Sequence, residues 1–170
     1  MLKGRNMEKD SILYRQYLNI LAEELRPAMG CTEPIALAYA GAKAREILGC
    51  LPERVLVTVS GNIIKNVKSV VVPNTGGLRG IAAAVCAGIV AGHPDRELQV
   101  ISQVTQEQCQ QLCEFLEVTN CTISPSNSDL IFDIDITLFH GDDCARVRIV
   151  NHHTNIVHIS RNEDVVLELP

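Results

Sequence analysis

The chain has 170 residues and a formal net charge of −5, from 15 lysines and arginines against 20 aspartates and glutamates. A domain of this length buries about 70% of its unfolded surface, so one well-packed core is expected. Hydrophobic residues make up 46% of the chain, which excludes disorder over most of its length. The negative charge and an aromatic content of only 4% argue against a nucleic-acid partner.

The cellular setting follows from three further features. The most apolar stretch, residues 81–91, is shorter than the about 20 residues that a membrane span needs. The first six residues are polar, which does not fit a signal peptide. Seven cysteines, an odd number, occur without any CxxC pair. Together these features predict a reduced cytoplasmic protein without membrane spans or a disulfide framework.

The first predicted helix covers residues 10–25, where apolar residues recur at helical spacing. Asp10 or Ser11 caps its start, and residues 1–9 precede it as a flexible extension. A second helix is predicted over residues 35–48, from an N-cap at Thr32 to a glycine C-cap at position 49.

The remaining elements alternate between helical and β patterns. The third predicted helix, at 78–91, consists almost wholly of small residues, which allows a neighbouring backbone to approach closely. Strands are predicted at 54–60, 67–72, 98–101, 130–139, 145–150, 156–160 and 165–169, and helices at 78–91 and 105–116. Residues 61–62 and 161–164 mark turns. We therefore expect a single α+β domain over residues 10–170, with helices on one side of a mixed or antiparallel sheet and a β-rich C-terminal third.

Cys31 is the first candidate for chemistry, because it directly precedes the second predicted helix. The positive end of a helix favours the thiolate, which is the form that attacks or binds metal. A buried structural cysteine fits the local sequence equally well.

Three polar segments accompany it. Residues 60–66 place two amides and Lys65 near a strand end, although a polar turn explains them too. Residues 73–77 carry glycines whose N–H groups suit a small anion at a helix N-terminus, or serve as a plain cap. Residues 151–155 contain adjacent histidines, which point to opposite faces of a strand and rarely bind one metal ion.

The four segments together resemble the L-cysteine desulfidase family, which is related to the alpha chain of iron–sulfur-dependent L-serine dehydratases. The resemblance rests on PAMGCTEP at 27–34, SGNIIKN at 60–66, the glycine loop at 73–77 and HTNI at 153–156. GCTEP and SGNIxKN are its specific parts, and their order and approximate spacing match along nearly the whole chain.

The resemblance implies a lyase that removes sulfide from L-cysteine, or water from L-serine, to give pyruvate and ammonia. It implies a four-iron four-sulfur cluster in which one open iron acts as a Lewis acid, with Cys31 as a thiolate ligand. The implied catalytic residues are Lys65, Asn62 and Asn66. The implied substrate-binding residues are Thr32, Glu33, Thr75, Gly76, His153, Thr154 and Asn155.

Chemistry also predicts that Cys31, Asn62, Lys65, Asn66, Thr75 and His153 converge. A zwitterionic amino acid needs donors for its carboxylate and acceptors for its ammonium group, and amides serve either end. Lys65 supplies charge, or acts as a base where burial favours its neutral form.

Family members are considerably longer than this chain, and the resemblance places their other cluster cysteines in a C-terminal half. We therefore expect a partner that carries that half, on the same chain or as a separate subunit. The isolated chain is expected to bind no intact cluster and to lack activity, and it is compatible with a homo-oligomer. The alternative is a non-catalytic small-molecule-binding or structural module that kept the fold. The substrate (cysteine, serine or another compound) stays open.

Overall fold

A computed structural model describes residues 11–24 and 30–170. The expectations for residues 1–9, for a cap at Asp10 and for the helix end near Pro27 lie outside those residues. The helices are α1 (Ile12–Glu24), α2 (Thr32–Leu48), α3 (Gly61–Val67), α4 (Gly80–Ala91), a 3-10 helix (Pro94–Gln99) and α5 (Gln106–Val118). The strands are β1 (Arg54–Val59), β2 (Asn120–Pro125), β3 (Asp133–His140), β4 (Asp143–Val150), β5 (Ile156–Arg161) and β6 (Asp164–Glu168).

The strands form one mixed sheet in the order β2-β1-β3-β4-β5-β6. β1 pairs in parallel with β2 and antiparallel with β3, and the last four strands form an antiparallel meander. Val57 of β1 lies opposite Ile123 on one side and Ile136 on the other. The predicted α+β class is confirmed, with the sheet of the mixed type.

The core lies between one face of this sheet and the helices. Val57, Ile136 and Val147 are fully buried on that face. α2 lies against β3 and β4, and α4 lies against α2. A Cβ atom on Gly88 would lie 1.8 Å from the carbonyl oxygen of Ala38. The backbones of α2 and α4 are therefore in direct contact, as the small residues of the third predicted helix indicate.

The opposite face of the sheet carries paired charges. The guanidinium of Arg148 donates to both carboxylate oxygens of Asp133, at 2.9 and 3.0 Å. Arg146 makes the same two-pronged contact with Asp135. Asp133 is only 1% exposed, and the Ser126 hydroxyl also donates to it at 2.8 Å. Burial alone raises the pKa of Asp133, but these hydrogen bonds outweigh it and hold that pKa below its usual value.

The predicted turn at 61–62 is wrong, because these residues begin α3. Ser60 caps this helix, and its hydroxyl accepts a hydrogen bond from the Ile63 amide at 3.5 Å. The predicted strand at 67–72 is also wrong. Val67 ends α3, and Val71 makes an isolated bridge with Arg79.

The predicted strand at 98–101 is wrong too, since it overlaps the 3-10 helix and the turn that follows. β2 was not predicted from the sequence, and the start of α4 lies at Gly80 rather than at position 78. The other predicted strands exist with boundaries shifted by up to three residues. In the described part of the chain, no helix combines the length and apolar character needed to cross a membrane.

Candidate functional site

The N-terminus of α2 forms the centre of the candidate site. Cys31, not Thr32, occupies the N-cap position, and its side chain makes no capping bond. Its thiol instead donates to the Oε2 atom of Glu33 at 3.1 Å. Glu33 stands in the first helical turn, where the positive end of the helix favours a carboxylate.

Glu33 joins α2 to α3. Its Oε1 atom accepts a hydrogen bond from the Asn66 amide at 3.4 Å. The two residues are 33 positions apart, and the contact depends on α3 following β1 directly through the Ser60 cap. A cysteine, a carboxylate and an amide are therefore held together at this end of the sheet.

His153 lies on the loop between β4 and β5, where the charge of Glu33 acts on its imidazole. Its ring packs edge-on against Phe132, with 4.6 Å between the ring centroids. Burial lowers the pKa of His153, and the neighbouring His152 lowers it further. The charge of Glu33 acts in the opposite direction and does not cancel these effects. The imidazole is therefore mainly neutral at pH 7.

The protonation of the Cys31–Glu33 pair differs from the sequence expectation. Burial raises the pKa of the Cys31 thiol, and the hydrogen bond to Glu33 and its negative charge raise it further. Burial also raises the pKa of Glu33, but hydrogen bonds from Cys31, from its own backbone amide and from Asn66 lower that pKa overall. Burial and the adjacent carboxylate therefore favour the thiol form of Cys31, opposite to the effect expected from the helix end.

Asn62 and Lys65 lie on α3 beside Asn66, and all three side chains are exposed. Asn62 and Asn66 are four residues apart and share one helical face. Lys65 is three residues from Asn62 on the same side of the helix. Lys65 is exposed among the described residues, so it lacks the burial that a lysine needs to act as a base.

The glycine loop is built differently from the prediction. Thr75 is 2% exposed, and its hydroxyl donates to the Val72 carbonyl at 2.8 Å, inside its own turn. Gly76 adopts a left-handed conformation with φ of 71°. Because α4 begins at Gly80, Gly76 does not stand at a helix N-terminus, and that expectation is wrong. The loop still borders the site, because its Pro73 lies next to Gly30, the residue before Cys31. A Cβ atom added to Gly30 would lie 3.7 Å from the Pro73 ring.

Thr154 and Asn155 shape the loop that carries His153. The Asn155 amide donates to the Val150 carbonyl at 3.0 Å, which closes the loop. The Thr154 carbonyl accepts from the Ile156 amide at 3.0 Å, where β5 begins. Both residues hold the histidine in place through contacts within the loop.

The predicted convergence therefore holds for part of the set. Cys31 and Asn66 hydrogen-bond to Glu33, His153 is near enough for the charge of Glu33 to act on it, and Asn62 and Lys65 lie on α3 with Asn66. Thr75 is turned into its own loop. Sequence reasoning missed Phe132, whose ring positions His153, because a single aromatic residue before a strand carries no signal of such a role.

The side chains of the candidate site do not form a metal centre. Within residues 11–24 and 30–170, no group of three or more His, Cys, Asp and Glu side chains could hold a metal ion. A four-iron four-sulfur cluster normally takes about four thiolates, and this site offers the single thiol of Cys31. These residues do not fit the cluster by themselves.

Comparison with known proteins finds long relatives. UPF0597 protein DSY1109 of Desulfitobacterium hafniense is 54% identical over 160 residues, which are 94% of this chain and 37% of the relative. A UPF0597 protein of Treponema denticola is 40% identical over 164 residues, 96% of this chain and 38% of the relative. A third, FN1147 of Fusobacterium nucleatum, is 46% identical over 150 residues, 88% of this chain and 35% of the relative.

The chain thus spans little more than a third of the length of the curated relatives it matches. Their names state no substrate, reaction or partner. No protein-family profile matches the chain. No solved structure matches it either.

Proposed function

We propose that this chain is the N-terminal part of a lyase that eliminates sulfide from L-cysteine, or water from L-serine, to give pyruvate and ammonia. The observation that supports the proposal is the proximity of the GCTEP, SGNIIKN and HTNI segments. Glu33 accepts hydrogen bonds from Cys31 in its own segment and from Asn66 on α3, and its charge acts on His153. Unrelated local turns would have no reason to assemble in this way.

The proposed reaction assigns a limited role to these residues. In the elimination, a base in the part of the longer protein outside the match takes the Cα proton, the electron pair of that C–H bond forms the Cα=Cβ double bond, and the electron pair of the Cβ–S bond leaves with sulfide. The resulting enamine tautomerises and is hydrolysed to pyruvate and ammonium. Asn62 and Asn66 bind the two polar ends of the amino acid, since an amide both donates and accepts. Lys65 attracts the substrate carboxylate as an exposed cation.

The cluster is divided between two parts in this proposal. Cys31 supplies one thiolate from this chain, and the remaining ligands come from the part of the longer protein that the chain does not cover. The length of the relatives supports this division, because nearly two thirds of each lies outside the match. We place the protein in the cytoplasm, which suits seven cysteines that are all unpaired.

The test uses a chimera in which this chain replaces the matching 37% of the D. hafniense relative. After anaerobic reconstitution, pyruvate and sulfide are measured with L-cysteine and with L-serine. We expect activity in the chimera, its loss in Cys31→Ser, and a KM raised at least tenfold in Asn66→Ala. Cys113→Ser, an exposed cysteine on α5, is the matched control and should retain activity. An active Cys31→Ser variant, or a chimera that binds iron but turns over neither amino acid, contradicts the proposal.

A non-catalytic binding module is the second candidate, and the donor set favours it. The described site offers one thiol, and the side chains of Cys31 and Asn66 both donate hydrogen bonds to Glu33. Calorimetric titration of the chain with L-cysteine and L-serine distinguishes the two. Micromolar binding by a colourless chain, together with an inactive chimera, favours the module.

A further inference from the structure

α1 carries an apolar face that the described structure leaves open to solvent. Five large apolar side chains of α1 are between 47% and 53% exposed: Leu13, Tyr17, Leu18, Ile20 and Leu21. At 100° per residue they span about 160° of the helix circumference, and Tyr14 lies within the same arc. Arg15, Gln16 and Asn19 lie on the other side. This is the pattern of a helix that is buried on one side.

The size of the relatives indicates what covers this face. The match with the T. denticola protein covers 96% of this chain, which leaves too few residues outside it for α1 to be excluded. The longer relatives therefore include the counterpart of α1. They also contain nearly two thirds of a chain that has no counterpart here.

We propose that the apolar face of α1 is the docking surface for the part of the longer protein that lies outside the match. The partner is a protein surface with an apolar groove long enough for the 13 residues of α1, about 20 Å. The docking itself requires neither cluster nor substrate.

Hydrogen exchange provides the first test, in the chimera defined above and in the isolated chain. We expect the amides of α1 to exchange at least tenfold more slowly in the chimera. Leu18→Asp should abolish this protection, whereas Asn19→Asp, which adds the same charge on the opposite side, should preserve it. Equal exchange in chimera and isolated chain overturns the proposal. The proposal is also overturned if light scattering shows that the isolated chain is a dimer and its α1 amides are protected, because a second copy then covers the face.

Photo-cross-linking identifies the occupant directly. A benzophenone amino acid in place of Leu18 should cross-link within one chimera molecule to peptides of the segment outside the match, and one in place of Asn19 should not. Cross-links confined to this chain, or between molecules, contradict the proposal. If the chimera does not fold, the same probe is placed in the D. hafniense protein at the position aligned with Leu18. Neither measurement depends on catalytic turnover. An inactive chimera in which α1 is protected and cross-linked would therefore support the docking proposal while contradicting the lyase proposal.

Discussion

Replacing Gly88 by alanine tests whether the contact between α2 and α4 sets the stability of the domain. The added Cβ would lie 1.8 Å from the carbonyl oxygen of Ala38, and 2.6 and 2.8 Å from its carbonyl carbon and Cα. Ordinary van der Waals contact begins at 3.4 Å. All three neighbouring atoms belong to the backbone of α2, so no side chain can rotate away and the two helices must separate.

The expected cost follows from that separation. Overpacking a core typically costs about 1–3 kcal/mol and occasionally more. Because the obstacle is backbone and the interface lies in the main core, we expect about 3 kcal/mol or more. For a domain of this size, a loss of about 3 kcal/mol lowers Tm by roughly 6–12 °C. Since domains are stable by only about 5–15 kcal/mol, a large share of the total is at stake.

Urea unfolding followed by circular dichroism measures the effect, with Gly61→Ala as the control. Gly61 is the first residue of α3, and a Cβ there meets no atom within 4 Å. This control should change the free energy of unfolding by less than about 1 kcal/mol, and in the stabilising direction. Ala38→Gly should not rescue Gly88→Ala, because the clash is with backbone. A Gly88→Ala variant as stable as the control, or rescue by Ala38→Gly, would refute the reasoning.

Three further predictions concern charged and titrating groups. Asp133→Ala should destabilise the domain by about 3 kcal/mol, because it removes a buried carboxylate and leaves the half-buried Arg148 guanidinium and the Ser126 hydroxyl without their acceptor, whereas Asp135→Ala, in a more exposed pair, should cost under about 1 kcal/mol in the same urea assay. Glu33→Gln should accelerate alkylation of Cys31 severalfold at pH 8, because loss of the carboxylate charge lowers the thiol pKa; an unchanged rate in mass spectrometry would contradict the described contact. The pKa of His153 is lowered in the native protein, so the unfolded chain binds a proton more readily as the pH falls below 6.5, the ordinary pKa of histidine. This residue therefore reduces the free energy of unfolding at acidic pH. His153→Gln should reduce the difference in unfolding free energy between pH 7.5 and 5.5, and an undiminished difference would argue against a buried neutral imidazole.

The fold could be predicted where local patterns and tertiary contacts agree. Thr105 caps α5 through reciprocal bonds with Gln108, and Gly49 ends α2 with a φ of 86°. Both signals are local in sequence, so the rest of the protein does not have to be known. The small residues of the third predicted helix likewise indicate the close contact that Gly88 makes.

The errors have a common physical cause. The apolar run at 67–72 suggests a strand, but Val67 is buried as the last residue of α3 and only Val71 is bridged. β2 alternates polar and apolar residues over Asn120–Pro125, but asparagine, serine and proline are poor strand formers, and pairing with β1 at the edge of the sheet makes this segment a strand. In both cases tertiary position, rather than propensity, decides the structure.

The site divides in the same way. The sequence identifies Cys31, Asn66 and His153 as chemically capable residues, and the needs of a zwitterionic substrate together with the family resemblance predict their convergence. Burial and the hydrogen bond to Glu33 raise the pKa of the Cys31 thiol, which is opposite to the effect of the helix end alone. A contact between two side chains depends on rotamers, which no sequence pattern specifies.

The strand order has a consequence for how the protein reaches its native state. Contacts in the meander are close in sequence, such as Asp135 with Arg146, 11 positions apart, whereas Thr58 of β1 and Ser124 of β2 are 66 positions apart. Loop-closure entropy makes distant pairings late, so we expect the meander to fold before β1 and β2 join it. Pulse-labelling hydrogen exchange during refolding should show this order, and simultaneous protection of all six strands would exclude it.

His153 lies in the loop between two strands of the meander, whereas Cys31, Glu33 and Asn66 precede the meander in the chain. The candidate site is therefore incomplete in any partly folded form that lacks the N-terminal helices. A ligand that binds there recognises completely folded molecules alone, so it would slow their unfolding and protect a newly made chain from proteolysis.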